Sequence, residues 1–97
     1  MYYALFYSVV DDYVARRAQF REAHLRLANE AHRRGELVIA GALNEPTDRA
    51  LLVWRTPDRA VIEEFVRNDP YVINGLVTSW EIRPWAVVIG GEPAGSA

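Results

Sequence analysis

The 97-residue chain contains no cysteine and no lysine. The first absence excludes disulfides, thiolate nucleophiles and cysteine-ligated zinc or iron–sulfur sites. The second leaves arginine as the sole source of side-chain cations apart from histidine, which by itself assigns no function. Net charge is −2 and no basic block occurs, so nucleic acid is not an expected partner. No run approaches the roughly 20 apolar residues of a membrane span. No charged segment precedes an apolar one at the N-terminus, so a signal peptide is not expected and a cytoplasmic protein is. Phosphate loops, GxSxG and HExxH are also missing. Two histidines without clustered acids argue against a metal site, and no cofactor is expected.

About half of the residues are apolar, as in compact globular proteins. One domain is expected over residues 1–89, followed by a flexible tail, GGEPAGSA, over residues 90–97. No internal repeat is present. A chain this short buries a modest fraction of its surface, so association with a second copy would help stabilise it.

YYALFYSVV (residues 2–10) has the aromatic and β-branched character of a strand. Tyr3, Leu5, Tyr7 and Val9 lie on one face, and Tyr2, Ala4 and Phe6 on the other, so both faces call for cover. A helix then runs from a cap at Asp11 or Asp12 to Arg33–Arg34, with Gly35 as its left-handed terminator. Strands follow at residues 36–43 and 49–55, joined by the NEPTD turn. Thr56 and Pro57 start a second helix that buries Val61, Ile62, Phe65 and Val66 and ends before Pro70. The last strand spans residues 75–85, with AVVI extending it or forming a short fifth.

The order β-α-β-β-α-β is ferredoxin-like, an α+β class with two helices on one face of an antiparallel sheet. The other face lacks intramolecular cover although its strands are apolar on both sides. Two such faces brought together would make a homodimer with room for a cavity.

The first helix carries a conflict. At 100° per residue, Tyr13, Arg17, Phe20, His24, Leu27, Ala28 and Ala31 share the inward face. A lone buried histidine is usually a core residue satisfied by a carbonyl or water. Here Arg17 lies on the same face and Arg21 at its edge, a cationic pair suited to an anionic or phenolate-like ligand. For Arg21 alone, snorkelling to solvent is the simpler account. Asp69 in NDPY is an ordinary helix-stopping residue or, since the two helices lie side by side, an acceptor that orients His24 as a general base. Tyr71, Trp80 and Trp85 either line a pocket for a flat ring or fill core and dimer seam. Ser8 is a weaker polar candidate, and His32 falls toward a flank.

Together, Arg17, Arg21, His24 and Leu25, Gly35, Leu37, Ala40 and Gly41, Asp69, Pro70 and Tyr71, Gly75, and Arg83, Pro84 and Trp85 resemble the pattern of the YciI-like proteins. The likeness extends to about Val88. It implies a dimeric α/β barrel of ferredoxin-like subunits, akin to muconolactone isomerase, with a His–Asp pair that falls on His24 and Asp69. One branch of that family resembles a dehydrochlorinase of chlorinated hydroxyhydroquinones. Ala42 stands where the family often has proline, and the β2–β3 connection lacks a glycine-rich insertion, so the substrate does not carry over.

The expected function is a small cofactor-free enzyme performing elimination or isomerisation on a cyclic or aromatic anionic metabolite. Its base is His24, oriented by Asp69, with Arg17, Arg21, Tyr71, Ser8 and Trp80 as substrate-binding candidates in a pocket between helices and sheet. The alternatives are a non-catalytic small-molecule-binding module and a structural dimeric module.

Overall fold

A computed structural model describes residues 1–91; residues 92–97 of the expected tail lie outside the described residues. The elements are β1 (Tyr2–Val9), α1 (Tyr13–Arg16), a 3₁₀ turn (Arg17–Gln19), α2 (Arg21–Arg33), β2 (Leu37–Ala42), β3 (Arg49–Arg55), α3 (Arg59–Asn68), α4 (Pro70–Ile73) and β4 (Val77–Trp85). The four strands form one antiparallel sheet in the order β2-β3-β1-β4. This is the α+β, ferredoxin-like arrangement.

Strand alternation places Tyr3, Leu5 and Tyr7 on the helix side. There they join Leu52 and Trp54 of β3, Ile82 of β4, and Ile62, Phe65 and Val66 of α3 in a continuous core. Fully burying side chains such as Leu5 and Ile62 stabilises the fold by on the order of 2 kcal/mol each. Trp54 meets Phe65 edge to face at 4.9 Å. The opposite face carries Phe6, Leu51 and Val53 at paired positions, and the helices cover only the other side.

The first expected helix is interrupted, and the second starts late but ends before Pro70 as expected. The first breaks at the 3₁₀ turn, where Phe20 N–H donates to Arg17 O. Three residues at 3₁₀ pitch add about 60° of rotation relative to a continuous α-helix. That offset lets Tyr13 and His24 approach Tyr71 from different directions. The second helix starts later than Thr56 suggested. Asp58 is its cap, accepting from Ala60 N–H at 2.9 Å, while Thr56 Oγ1 accepts from Asp58 N–H. It stops at Asn68 because Asp69 is extended (φ −72°, ψ 119°), as pre-proline geometry favours. Asp69 then caps the short α4. Gly35 has φ +81°, the left-handed conformation expected of it. AVVI neither extends β4 nor forms a fifth strand.

Candidate active site

Asp69 is fully buried between the two helical segments. As N-cap of α4 it accepts from the Tyr71 N–H at Oδ1, 3.0 Å. The same oxygen lies 2.8 Å from His24 Nδ1, and Oδ2 accepts from the Tyr7 hydroxyl at 2.8 Å. A carboxylate placed in this way only accepts, so His24 Nδ1 carries the proton and donates it. The imidazole's other nitrogen, Nε2, has no hydrogen-bond partner among the described residues. Its side chain is 15% exposed, on the wall of a cavity.

Two aromatic contacts hold the ring. Tyr71 stacks on His24 with centroids 3.8 Å apart and planes 10° from parallel. Tyr13 stands at 85° to Tyr71, 5.6 Å away. Arg17 lies over Tyr13 with its Cζ 5.2 Å from the ring centroid. Arg17 and Arg21 both line the cavity, and neither forms an ion pair with a carboxylate among the described residues.

The cavity measures about 400 Å³ and lies between α2 and the edge strand β2. Leu37, Ala42, Ala50 and Leu52 form an apolar floor. His24, Arg17 and Arg21 sit at one end and His32 at the other. Burial, followed by the charge of Asp69 and the hydrogen bond to it, pushes the Tyr7 phenol far above its ordinary range. Tyr7 therefore stays a donor. Burial likewise raises Tyr71, opposed by the nearby Arg21 and Arg17.

The fold thus brings His24, Asp69, Arg17, Arg21 and Tyr71 together. It does not bring Ser8 or Trp80 to this cavity. Ser8 is on the open sheet face opposite Arg49 and Ser79, and its carbonyl accepts from Thr78 Oγ1. Trp80 lies opposite Tyr7 on β4 and is 43% exposed. Tyr7 as a partner of Asp69 was not anticipated; the only signal is a tyrosine where phenylalanine would fill a core. His32, expected on a flank, reaches the cavity wall because its Nδ1–H donates to Leu37 O at 2.7 Å.

The sequence matches the YCII-related domain family over residues 1–86. Among solved structures, the chain resembles 5-chloro-2-hydroxyhydroquinone dehydrochlorinase (TftG) from Burkholderia phenoliruptrix AC1100, in complex with 2,5-dihydroxybenzoquinone. The TM-score is 0.73 at 16% identity, over 88% of this chain and 93% of that one, a likeness of fold. No curated protein matches. No helix among the described residues is long and apolar enough to cross a membrane.

Proposed function

This chain belongs to the family of YCII-related domains, and from that premise we propose that it is a small cofactor-independent enzyme that moves protons on a cyclic or aromatic anionic metabolite. The observation that carries the reading is the 2.8 Å contact from His24 Nδ1 to a carboxylate with no solvent exposure, at the wall of a cavity. With Nδ1–H committed to Asp69, Nε2 is the basic atom available to a ligand. It takes a proton from a C–H or O–H of the substrate. The imidazolium that forms is stabilised by Asp69, and the negative charge left on the substrate by Arg17 and Arg21.

The outcome then depends on the substrate. With a leaving group beside the anion, the electron pair expels it and elimination results. Without one, the proton returns to another carbon and the substrate is isomerised. The likeness to TftG supports testing elimination first.

The reading includes a homodimer. Phe6 and Leu51 on the open sheet face, with Ile39 67% and Trp85 45% exposed, form an apolar surface that a second copy would cover. Light scattering should give twice the mass of one chain.

The functional test uses 5-chloro-2-hydroxyhydroquinone as substrate probe and 2,5-dihydroxybenzoquinone as ligand probe. Chloride release that disappears in His24→Ala supports elimination by this base. Ligand binding without turnover of this probe or of related chlorinated and unsubstituted ring acids favours a binding module instead.

A further inference from the structure

The cavity meets β2 along its edge. Five consecutive residues, Val38 to Ala42, line it. Side chains alternate between the two faces of a strand, so one face cannot supply all five. The backbone itself therefore forms part of the wall. β2 is an outermost strand, paired only with β3, and Val38 to Ala42 carry none of the charges or prolines that commonly blunt an edge. Its register shows which backbone groups are left over. Arg55 N–H donates to Glu36 O at one end of the pairing, and Leu43 N–H to Arg49 O at the other. Bonded and non-bonded pairs alternate along an antiparallel ladder. Ile39–Val53 and Gly41–Leu51 are thus bonded pairs, with the irregularity at Val38 absorbing an extra residue. Leu37, Ala40 and Ala42 turn their N–H and C=O groups away from β3. That side is the side of α2, because the Leu37 carbonyl accepts from His32 Nδ1 there. Ala40, which is exposed, is the next such residue, and neither of its backbone groups has a partner among the described residues.

We propose that the Ala40 N–H and C=O read a pair of oxygens on adjacent carbons of a small ring, a diol of the catechol type or its hydroxyketone counterpart. This rests on the reading of the cavity as a small-molecule site and narrows the substrate class to rings with vicinal oxygens. One oxygen accepts from the Ala40 N–H, and the hydroxyl on its neighbour donates to the Ala40 carbonyl. The match is one of covalent geometry. The N and O of one residue are separated by three bonds and, in an extended strand, point the same way. Oxygens on adjacent ring carbons are likewise separated by three bonds and lie in one plane. Such a ligand therefore mimics the residue that a further strand would bring to this edge. Oxygens on alternate carbons diverge and engage one group at a time. The space of about 400 Å³ suits a small ligand, and the apolar floor at Leu37 and Leu52 suits the body of its ring.

The probes are catechol and resorcinol, both uncharged at neutral pH and differing only in the spacing of their hydroxyls. They are titrated without oxygen into ¹⁵N-labelled protein. Catechol should bind about tenfold more tightly than resorcinol, the worth of one additional hydrogen bond. The Ala40 amide should exchange rapidly with solvent in the free protein. Saturating catechol should shift it downfield and slow that exchange, while the Gly41 amide, bonded to Leu51, stays protected throughout. Ala40→Pro deletes the N–H at an edge position where proline costs no ladder bond. It should bring catechol affinity down to that of resorcinol. Equal affinities in wild type, binding of neither probe, or an Ala40 amide unmoved by catechol overturns the proposal. An Ala40 amide already protected in the free protein overturns it too, since the edge is then covered. The wild-type spectra decide the matter even where the proline variant does not fold. The proton-transfer reading fails separately, on turnover in His24→Ala, because neither probe carries a leaving group.

Discussion

The helix α2 carries two histidines, and they line opposite ends of one cavity. Each gives its Nδ1–H to an acceptor, His24 to Asp69 at 2.8 Å and His32 to Leu37 O at 2.7 Å. Both are fixed in the same tautomer, with Nε2 unpaired among the described residues. The difference lies in the acceptor. The buried carboxylate of Asp69 lies against the His24 ring, whereas His32 meets only the dipole of a backbone carbonyl. His24 also stacks on Tyr71 and shares its end with two guanidiniums, while His32 ties the end of α2 to β2. Matched geometry is therefore compatible with unequal chemistry, and charge in the second layer sets the inequality.

Substitutions test that inequality in descending order. His24→Ala should lower turnover by about 10²- to 10⁴-fold, the usual contribution of a positioned base, with its circular dichroism spectrum unchanged. Activity equal to wild type removes His24 from the chemistry. Asp69→Asn retains an acceptor for the imidazole and the Tyr71 N–H but deletes the charge. It should lower turnover by about ten- to a hundredfold, the worth of a hydrogen bond to a charged group. If Asp69→Asn is silent, the two ends of the cavity are equivalent and the distinction drawn above collapses.

Tyr7→Phe acts one step further out, on the carboxylate's second oxygen. It should destabilise the fold by about 1–3 kcal/mol in urea titrations, since a buried acceptor loses a donor. The same variant has a pH signature. The Tyr7 phenol is raised in the folded chain above its ordinary value of 10.0. Its contribution is therefore full below that value and is lost as pH rises past it, where the unfolded tyrosine ionises and the folded one resists. Wild type should lose stability steeply in that alkaline range, and Tyr7→Phe should flatten the decline. Identical alkaline profiles would place the titration elsewhere. The smallest effect belongs to His32→Gln, a loss of about 0.5–1.5 kcal/mol of stability with turnover nearly intact.

Much of this was legible in the residues, and the illegible part has a physical origin. Strand alternation in β1 and the inward face of the first helix pointed to His24, and NDPY to its partner, because both rest on local periodicity and turn chemistry. The break between α1 and α2 was not legible, because a 3₁₀ turn needs no proline or glycine to mark it. Helix periodicity placed His32 on a flank; only the long-range hydrogen bond to Leu37 O brings its ring to the cavity. The role of Tyr7 was hidden for a different reason. A tyrosine in an apolar strand reads as core, and its hydroxyl acquires meaning only when a residue 62 positions away folds against it. Ser8 and Trp80 show the converse: both are chemically capable, yet the sheet register places them away from the cavity.

The central claim is that His24 presents an unprotonated Nε2 to the cavity because Nδ1 carries the proton donated to Asp69. Long-range ¹H–¹⁵N correlation spectra of histidine-labelled protein, recorded where both imidazoles are neutral, test it without a substrate. The account predicts an Nδ1–H tautomer for His24, with His32 as an internal reference in the same form. Asp69→Asn should perturb the His24 nitrogens and leave those of His32 unmoved. A proton found on Nε2 of His24 would contradict the account, since the base would then face away from any ligand.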